Sequence, residues 1–113
     1  MVLFYGTETY LNIGIYQYIM AGMKVKLLSA LSNETRLQIL QYLLNGELCA
    51  CSIYPLTKKA QSTISGHLRI LEEADIVESR RDGINIWYKI KNKEAVQIMK
   101  ILNIQKIENK TKC

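Results

Sequence analysis

Residues 60–76, AQSTISGHLRILEEADI, limit what this chain can fold into more than any other stretch. Ile64, Leu68 and Leu71 recur at i, i+4 and i+7, with Asp75 at i+11 where the run stops, so one narrow stripe of a helix is apolar enough to bury. The opposite face holds Ser62, Gly66 and Arg69. Small hydroxyls and a glycine let a backbone approach a base edge or a phosphate closely, and an arginine can fork onto guanine or a phosphate oxygen. An ordinary surface helix with a solvated polar face would carry the same residues. The neighbours of this helix decide between the two.

After it the hydrophobic period changes from near 3.6 to 2. Ile76–Arg81 and Ile84–Ile90 flank Asp82-Gly83, a pair that favours the positive backbone angles of a tight hairpin. The register this predicts sets Arg81 opposite Ile84, Ser79 opposite Ile86 and Val77 opposite Tyr88. Upstream, Val25, Leu27, Leu28 and Leu31 mark a short apolar helix. Asn33 offers a capping acceptor to the next helix, with Glu34 in its first turn, Leu37, Leu40, Leu43 and Leu44 along one side, and Asn45-Gly46 at its end. A third helix begins at Glu47 and is cut short by Pro55, which lacks a donor and disfavours the helical region at Tyr54. Thr57, Lys58 and Lys59 form the turn into the 60–76 helix. Asn92 caps a last helix with two stripes, Ala95, Ile98, Met99 and Leu102 on one and Ile101 and Ile104 on the other, which suits a chain that packs both on its own core and on a second subunit. The order of elements is that of a mainly α fold with a small β-hairpin wing (α+β), the winged helix-turn-helix.

At 113 residues with 49% hydrophobic composition the chain makes one folded domain, small enough for an identical partner to supply much buried surface. Fifteen Lys and Arg against ten Asp and Glu leave a net charge of +5, which favours a polyanionic partner without identifying it. Three cysteines, an odd number with no secretion signal, read as thiols in a reducing compartment, hence a cytoplasmic location.

Residues 1–23 differ from the rest, with one charged residue, Glu8, and an aromatic set of Phe4, Tyr5, Tyr10, Tyr16 and Tyr18. No Lys or Arg precedes Lys24, as a signal peptide would require, and no apolar run approaches the roughly 20 residues of a membrane helix. Leu11, Ile15, Tyr18 and Ile19 have the spacing of a helix that buries one side at a dimer interface. A start of translation at Met20 or Met23 is the other reading. The expected division is therefore an N-terminal extension over 1–23, a DNA-binding domain over 24–108 and a C-terminal tail over 109–113.

LSNETRLQIL (Leu31–Leu40), ELCAC (Glu47–Cys51), QSTISGHLRILEEADIV (Gln61–Val77) and SRRDGINIWYKI (Ser79–Ile90) together resemble the ArsR/SmtB family of winged-helix repressors over about residues 25–104. The resemblance implies a homodimer that holds an inverted-repeat operator in double-stranded DNA until an effector binds, with the first and last helices at the dimer interface. Gln61, Ser62, Thr63, Ser65, Gly66, His67 and Arg69 are then the candidate DNA contacts on the recognition helix, and Arg80, Arg81, Asn85 and Lys89 those on the wing. Two details depart from the family: Asp75 stands where glycine is usual, and Pro55 with Thr57-Lys58-Lys59 replaces a more apolar, glycine-containing turn. Asp visits the left-handed region more readily than most residues.

The thiolates of Cys49 and Cys51 are soft ligands for Zn, Cd, Pb or As(III), and a place in a helix's first turns would lower their pKa. Thiol-sensing members of the family carry the ELCxC pattern on the helix before the recognition helix, and the arsenic-sensing version adds a third cysteine three residues on, where this chain has Tyr54. Residues two apart on a regular helix project about 200° from each other, so both thiols can grip one ion only if the helix distorts or begins there. Cys113 is the remaining candidate ligand. The effector implied is a soft metal, a metalloid or an oxidant, and no resident cofactor is required. Cys49 and Cys51 also fit the role of small buried hydrophobes.

The one histidine, His67, flanks the buried stripe, where it suits a structural or phosphate-contacting role. KEAVQIMKILNIQK (93–106) holds neither His nor Asp for a terminal-helix zinc site. With no glycine-rich phosphate loop and no support for a Cys-His pair, the chain is not expected to be an enzyme. A winged-helix module acting mainly in protein association is the alternative to a DNA-binding repressor.

Overall fold

The computed structural model describes residues 21–108. Helix α1 covers residues 21–31, followed by α2 (Glu34–Leu43), strand β1 (Leu48–Cys49), α3 (Ala50–Thr57), α4 (Gln61–Glu73), the hairpin strands β2 (Val77–Asp82) and β3 (Asn85–Ile90), and α5 (Lys93–Ile101). The strands form an antiparallel sheet in the order β1-β3-β2. Helices α1 to α5 enclose a single core of Leu27, Ala30, Leu31, Ile39, Leu40, Leu43, Ile53, Ile64, Leu68, Leu71, Ile76, Val77, Ala95 and Met99.

Local chemistry sets most element ends. Asn33 Oδ1 accepts from the Arg36 amide at 3.1 Å and Asn92 Oδ1 from the Ala95 amide at 3.1 Å, so both asparagines satisfy donors that a helix start leaves without partners. Helix α4 stops at Glu73, short of Ile76. Asp75 adopts φ 64°, its amide donates to Glu72 O, and the Ile76 amide donates back to Leu71 O. That pair of bonds is a Schellman cap, and it buries Ile76 over Leu71. Asp75 thus takes the left-handed conformation for which glycine is the usual residue. Helix α5 ends the same way, with Asn103 at φ 60° and the Ile104 amide on Met99 O.

Three expectations are corrected. The third helix begins at Ala50 and not at Glu47, because Leu48 and Cys49 pair with Tyr88 and Trp87 as a short third strand. It also runs through Pro55 to Thr57: Ile53 is fully buried, and Thr57 Oγ1 donates to the Ile53 and Tyr54 carbonyls at 3.0 and 3.2 Å, which together outweigh the local preference at Tyr54. The hairpin turns on Gly83-Ile84, pairing Asp82 with Asn85, Arg81 with Ile86, Ser79 with Tyr88 and Val77 with Ile90. Gly83 has φ 66°, and a glycine in the first central position suits a two-residue turn that needs a positive φ only there. The slip is two residues, so each side chain keeps its face.

The second α5 stripe is also not a single helical face. Ile101 and Leu102 are 80% and 63% exposed at the helix end, while Ile104 lies past it, half-buried against the core. The chain then runs back along α2, where Gln41 Nε2 donates to Gln105 O and Asn45 Nδ2 to Ile107 O at 2.7 and 2.6 Å.

Candidate nucleic-acid interface and the adjoining dithiol

Helix α4 buries Ile64, Leu68 and Leu71, each at most 1% exposed, and burial of each contributes about 1.5–3 kcal/mol that fixes the helix's rotation. Gln61, Ser62, Thr63, Ser65 and Arg69 are left exposed, with Gly66 and His67 half-buried at the flank. Apart from its chain neighbours and the backbone of its own helix, no atom of the described residues lies within 4 Å of where a Gly66 side chain would begin, so the face is open there. Lys58, at φ 57°, and Lys59 are exposed in the turn leading into the helix. Ser65 is the one member of the set with a partner on the preceding helix, its Oγ lying 3.5 Å from the Tyr54 hydroxyl.

His67 is engaged on the side away from this face. Its Nδ1 lies 3.2 Å from Arg36 Nη1, and Arg36 also donates from Nε to Ala30 O and from Nη2 to Ser29 O, at 2.7 and 3.2 Å. One guanidinium therefore joins the last carbonyls of α1 to the recognition helix. Burial, with the charges of Arg36 and Lys59 beside it, pushes the His67 imidazole below the usual histidine range.

The four wing candidates do not share a face. Alternation along the strands puts Arg80, Asn85 and Lys89 on one side with Glu78, Asp82 and Trp87, and Arg81 on the other with Ser79 and Tyr88. Ser79 Oγ donates to Glu72 at 2.7 Å, so the Arg81 side of the hairpin is the side turned toward α4. Arg80 is held within the protein. Its Nε and Nη2 donate to the two Glu47 carboxylate oxygens at 2.9 and 2.8 Å, and its guanidinium carbon lies 5.4 Å from the centre of the Trp87 ring. The Arg80 hydrogen bonds hold the Glu47 carboxyl below the usual carboxylate range. Lys89 lies 3.6 Å from Glu78. Arg81 and Asn85 are exposed.

Cys49 and Cys51 meet at the junction of β1 and α3. Cys49 is the N-cap, in extended backbone at φ −71° and ψ 144°, and its Sγ accepts from the Cys51 amide at 3.1 Å. The helix begins between the two residues, so their side chains do not diverge as they would on a continuous helix. They are joined as a disulfide, with Cα atoms 5.1 Å apart. Cys49 is 1% exposed and Cys51 is at the surface. A soft ion would find two sulfur donors here once they were reduced, with further ligands to come from elsewhere: among the described residues no group of three or more His, Cys, Asp or Glu is placed to hold a metal. Tyr54 points its hydroxyl at Ser65, and Cys113 lies outside the described residues. Sequence reasoning missed Glu47, Trp87 and Arg36. Their roles depend on partners 31 to 38 positions away, for which no local spacing is a signal.

An exposed helix seated on a three-helix core, followed by a two-stranded wing, defines a winged helix-turn-helix DNA-binding domain. The profile of the family described as "Bacterial regulatory protein, arsR family" matches residues 33–79. The arsenical resistance operon repressor of Staphylococcus aureus is 36% identical over 83 residues, spanning 74% of this chain and 80% of that one. Reduced HlyU from Vibrio cholerae aligns with a TM-score of 0.69 at 29% identity, over 80% of this chain and 98% of that one. A homodimeric winged helix-turn-helix DNA-binding domain from Mycobacterium bovis, a possible ArsR-family transcriptional regulator, aligns at 0.71 and 27% identity, over 78% and 82%. The chain belongs to the ArsR family of bacterial transcriptional repressors. That family consists of regulators and not of enzymes. Among the described residues, no helix is long and apolar enough to cross a membrane.

Proposed function

We propose that the protein is a homodimeric repressor of an inverted-repeat operator, released by an effector that acts on Cys49 and Cys51. The observation that carries the reading is the start of α3 between the two cysteines, which lets both sulfurs address one ion or each other. Two effector chemistries use that arrangement. Reduced, the pair offers two thiolates to As(III), Cd, Pb or Zn, with Cys113 the remaining cysteine for a third position. Oxidised, it closes a disulfide. The arsenical repressor of Staphylococcus aureus gives support to the first by its name, and the reduced form of HlyU to the second.

Residues 24–108 make up the DNA-binding domain in this reading, flanked by the 1–23 extension and the 109–113 tail. Gln61, Ser62, Thr63, Ser65, Gly66 and Arg69 address the major groove, with His67 held by Arg36 at their flank and Arg81, Asn85 and Lys89 reaching phosphates from the wing. Dimerisation is supported by the apolar surface of α1, where Met23, Val25 and Leu28 are 56%, 63% and 55% exposed, and by exposed Ile101 and Leu102 at the end of α5, beside the homodimeric Mycobacterium bovis relative. The deciding experiment titrates reduced protein with arsenite, Cd, Pb and Zn while recording thiolate charge-transfer absorbance and operator affinity, and repeats the affinity measurement after mild oxidation. Thiolate absorbance or disulfide closure accompanied by operator release is the expected result. Operator affinity unchanged by every treatment would overturn the reading.

A further inference from the structure

Cys49, Trp87 and Arg80 lie in one row across the sheet. Cys49 is the register partner of Trp87 on β3, and Trp87 is the partner of Arg80 on β2. Paired residues of neighbouring strands project to the same face, so the three side chains are consecutive neighbours. Glu47, two residues before Cys49 on the same segment, closes the row by its two-pronged ion pair with Arg80. A wing arginine is thus tied by charge and by ring stacking to the segment that carries the dithiol, 31 and 33 positions earlier in the chain.

We infer that Glu47 and Trp87 are positioning residues that make the reach of Arg80 toward DNA depend on the state of Cys49 and Cys51. The inference rests on the thiol-effector reading above. In the disulfide form Arg80 is engaged by Glu47 and stacked on Trp87, so the Nε–Nη2 edge that could fork onto a phosphate is filled and the guanidinium charge is offset by a carboxylate. Two features make this row responsive to the dithiol. Strand β1 is only two residues long, so opening the disulfide at its end acts directly on the segment that presents Glu47. Among the described residues Trp87 Nε1 is also buried without a hydrogen-bond partner, so they give the indole no polar anchor to hold it when Cys49 shifts. Reduction then loosens the Glu47 side of the clasp and releases Arg80 to the DNA backbone.

The test uses full-length protein carrying Cys113→Ser, so that Cys49 and Cys51 are the only pair able to react. Hydrogen peroxide closes the disulfide: the S–S bond forms, the O–O bond breaks, and both thiol hydrogens leave in two waters. Dithiothreitol reverses it, becoming a cyclic disulfide as it reduces the pair. Operator affinity is measured in both states at 50 and 200 mM salt, together with the fluorescence of Trp87, the only tryptophan. The parent protein should bind more tightly when reduced, with a salt slope larger by about one per wing, which is about a threefold difference per wing over that salt range. In Glu47→Gln the oxidised form should gain most of that slope, and the difference between states should collapse, while the fluorescence still changes on oxidation. Arg80→Gln should bind in both states like the oxidised parent. A parental response kept intact in Glu47→Gln and Arg80→Gln, with the fluorescence change present, overturns this inference and leaves the thiol reading standing. A parent whose affinity is the same in both states, and unchanged by metals, overturns both.

Discussion

Arg36 and His67 meet at 3.2 Å, a guanidinium against an imidazole, at the point where the recognition helix crosses the end of α1. The contact is favourable only while His67 is neutral and its Nδ1 accepts. Burial first, and then the charges of Arg36 and Lys59, keep the imidazole below its ordinary range. The folded pKa is therefore below the unfolded one, and between the two values the unfolded chain binds more protons. Stability contributed by neutral His67 is present above the unfolded value of about 6.5 and is lost as pH falls through the folded one. Urea midpoints should decline on acidification from pH 7 to pH 5. His67→Gln should flatten part of that decline, and a slope identical to the parent's would show that His67 does not supply it.

Asp75 holds the left-handed position that closes α4, at φ 64°. Asp75→Ala should lose about 1 kcal/mol, since alanine has neither the tolerance for this conformation nor the exposed ion pair with Lys91. Asp75→Gly should be as stable as the parent or more so, because glycine removes the backbone penalty at the expense of a weak surface pair. Urea denaturation ranks the three proteins, and equal losses in both variants would contradict a conformational origin.

How much of the fold and the site is legible in the sequence depends on the range of the interaction. Asn33, Asn92 and Asp75 act on residues within four positions, and the stripe of Ile64, Leu68 and Leu71 repeats within one helix, so residue type and spacing are sufficient. The hairpin register slips by two because Asp82-Gly83 and Gly83-Ile84 both satisfy a two-residue turn, and the choice between them is made by pairing along the strands. Strand β1 has no period to read in two residues. Glu47 and Arg80, 33 positions apart, carry no mutual signal at all, so residue type alone points Arg80 toward DNA and leaves out its carboxylate partner.

Arg69 and Arg81 should differ in kind. Arg69 is exposed on α4 beside Ser62 and Ser65, and Arg69→Ala should cost about 1–3 kcal/mol on the operator if it reads a base. Arg81→Ala should weaken operator and random DNA alike and lower the salt slope by about one for each phosphate it no longer neutralises. Competition binding against random duplex separates the two. Equal losses on both DNAs for Arg69→Ala would remove its reading role.

Leu28 and Val25 leave apolar surface on α1 that the described residues of one chain do not cover. Leu28→Lys combined with Val25→Glu should give a monomer by sedimentation at micromolar concentration, with the footprint reduced to a single half-site. The parent dimer should protect two half-sites about one helical turn apart, about 10–10.5 bp. A stable dimer in the double variant would move the interface elsewhere.

Cys49→Ser and Cys51→Ser offer the sharpest separation of sensing from folding. Cys49 is buried, and a buried hydroxyl left without a partner would cost about 1–3 kcal/mol. A serine there inherits the Cys51 amide as a donor, because position 49 is the N-cap of α3 and serine is among the preferred capping residues. Cys51 is exposed, so its replacement removes little packing. Neither cysteine is on the exposed face of α4, so operator affinity of the reduced proteins should stay within a few-fold of the parent. Release by arsenite, Cd or peroxide should be lost in both, and a hundredfold release in the parent would correspond to about 2.7 kcal/mol of coupling. Cys113→Ser divides the metal cases, since only a site completed by that residue should lose tight binding with it. Release that persists in both Cys49→Ser and Cys51→Ser would place the sensor outside this dithiol.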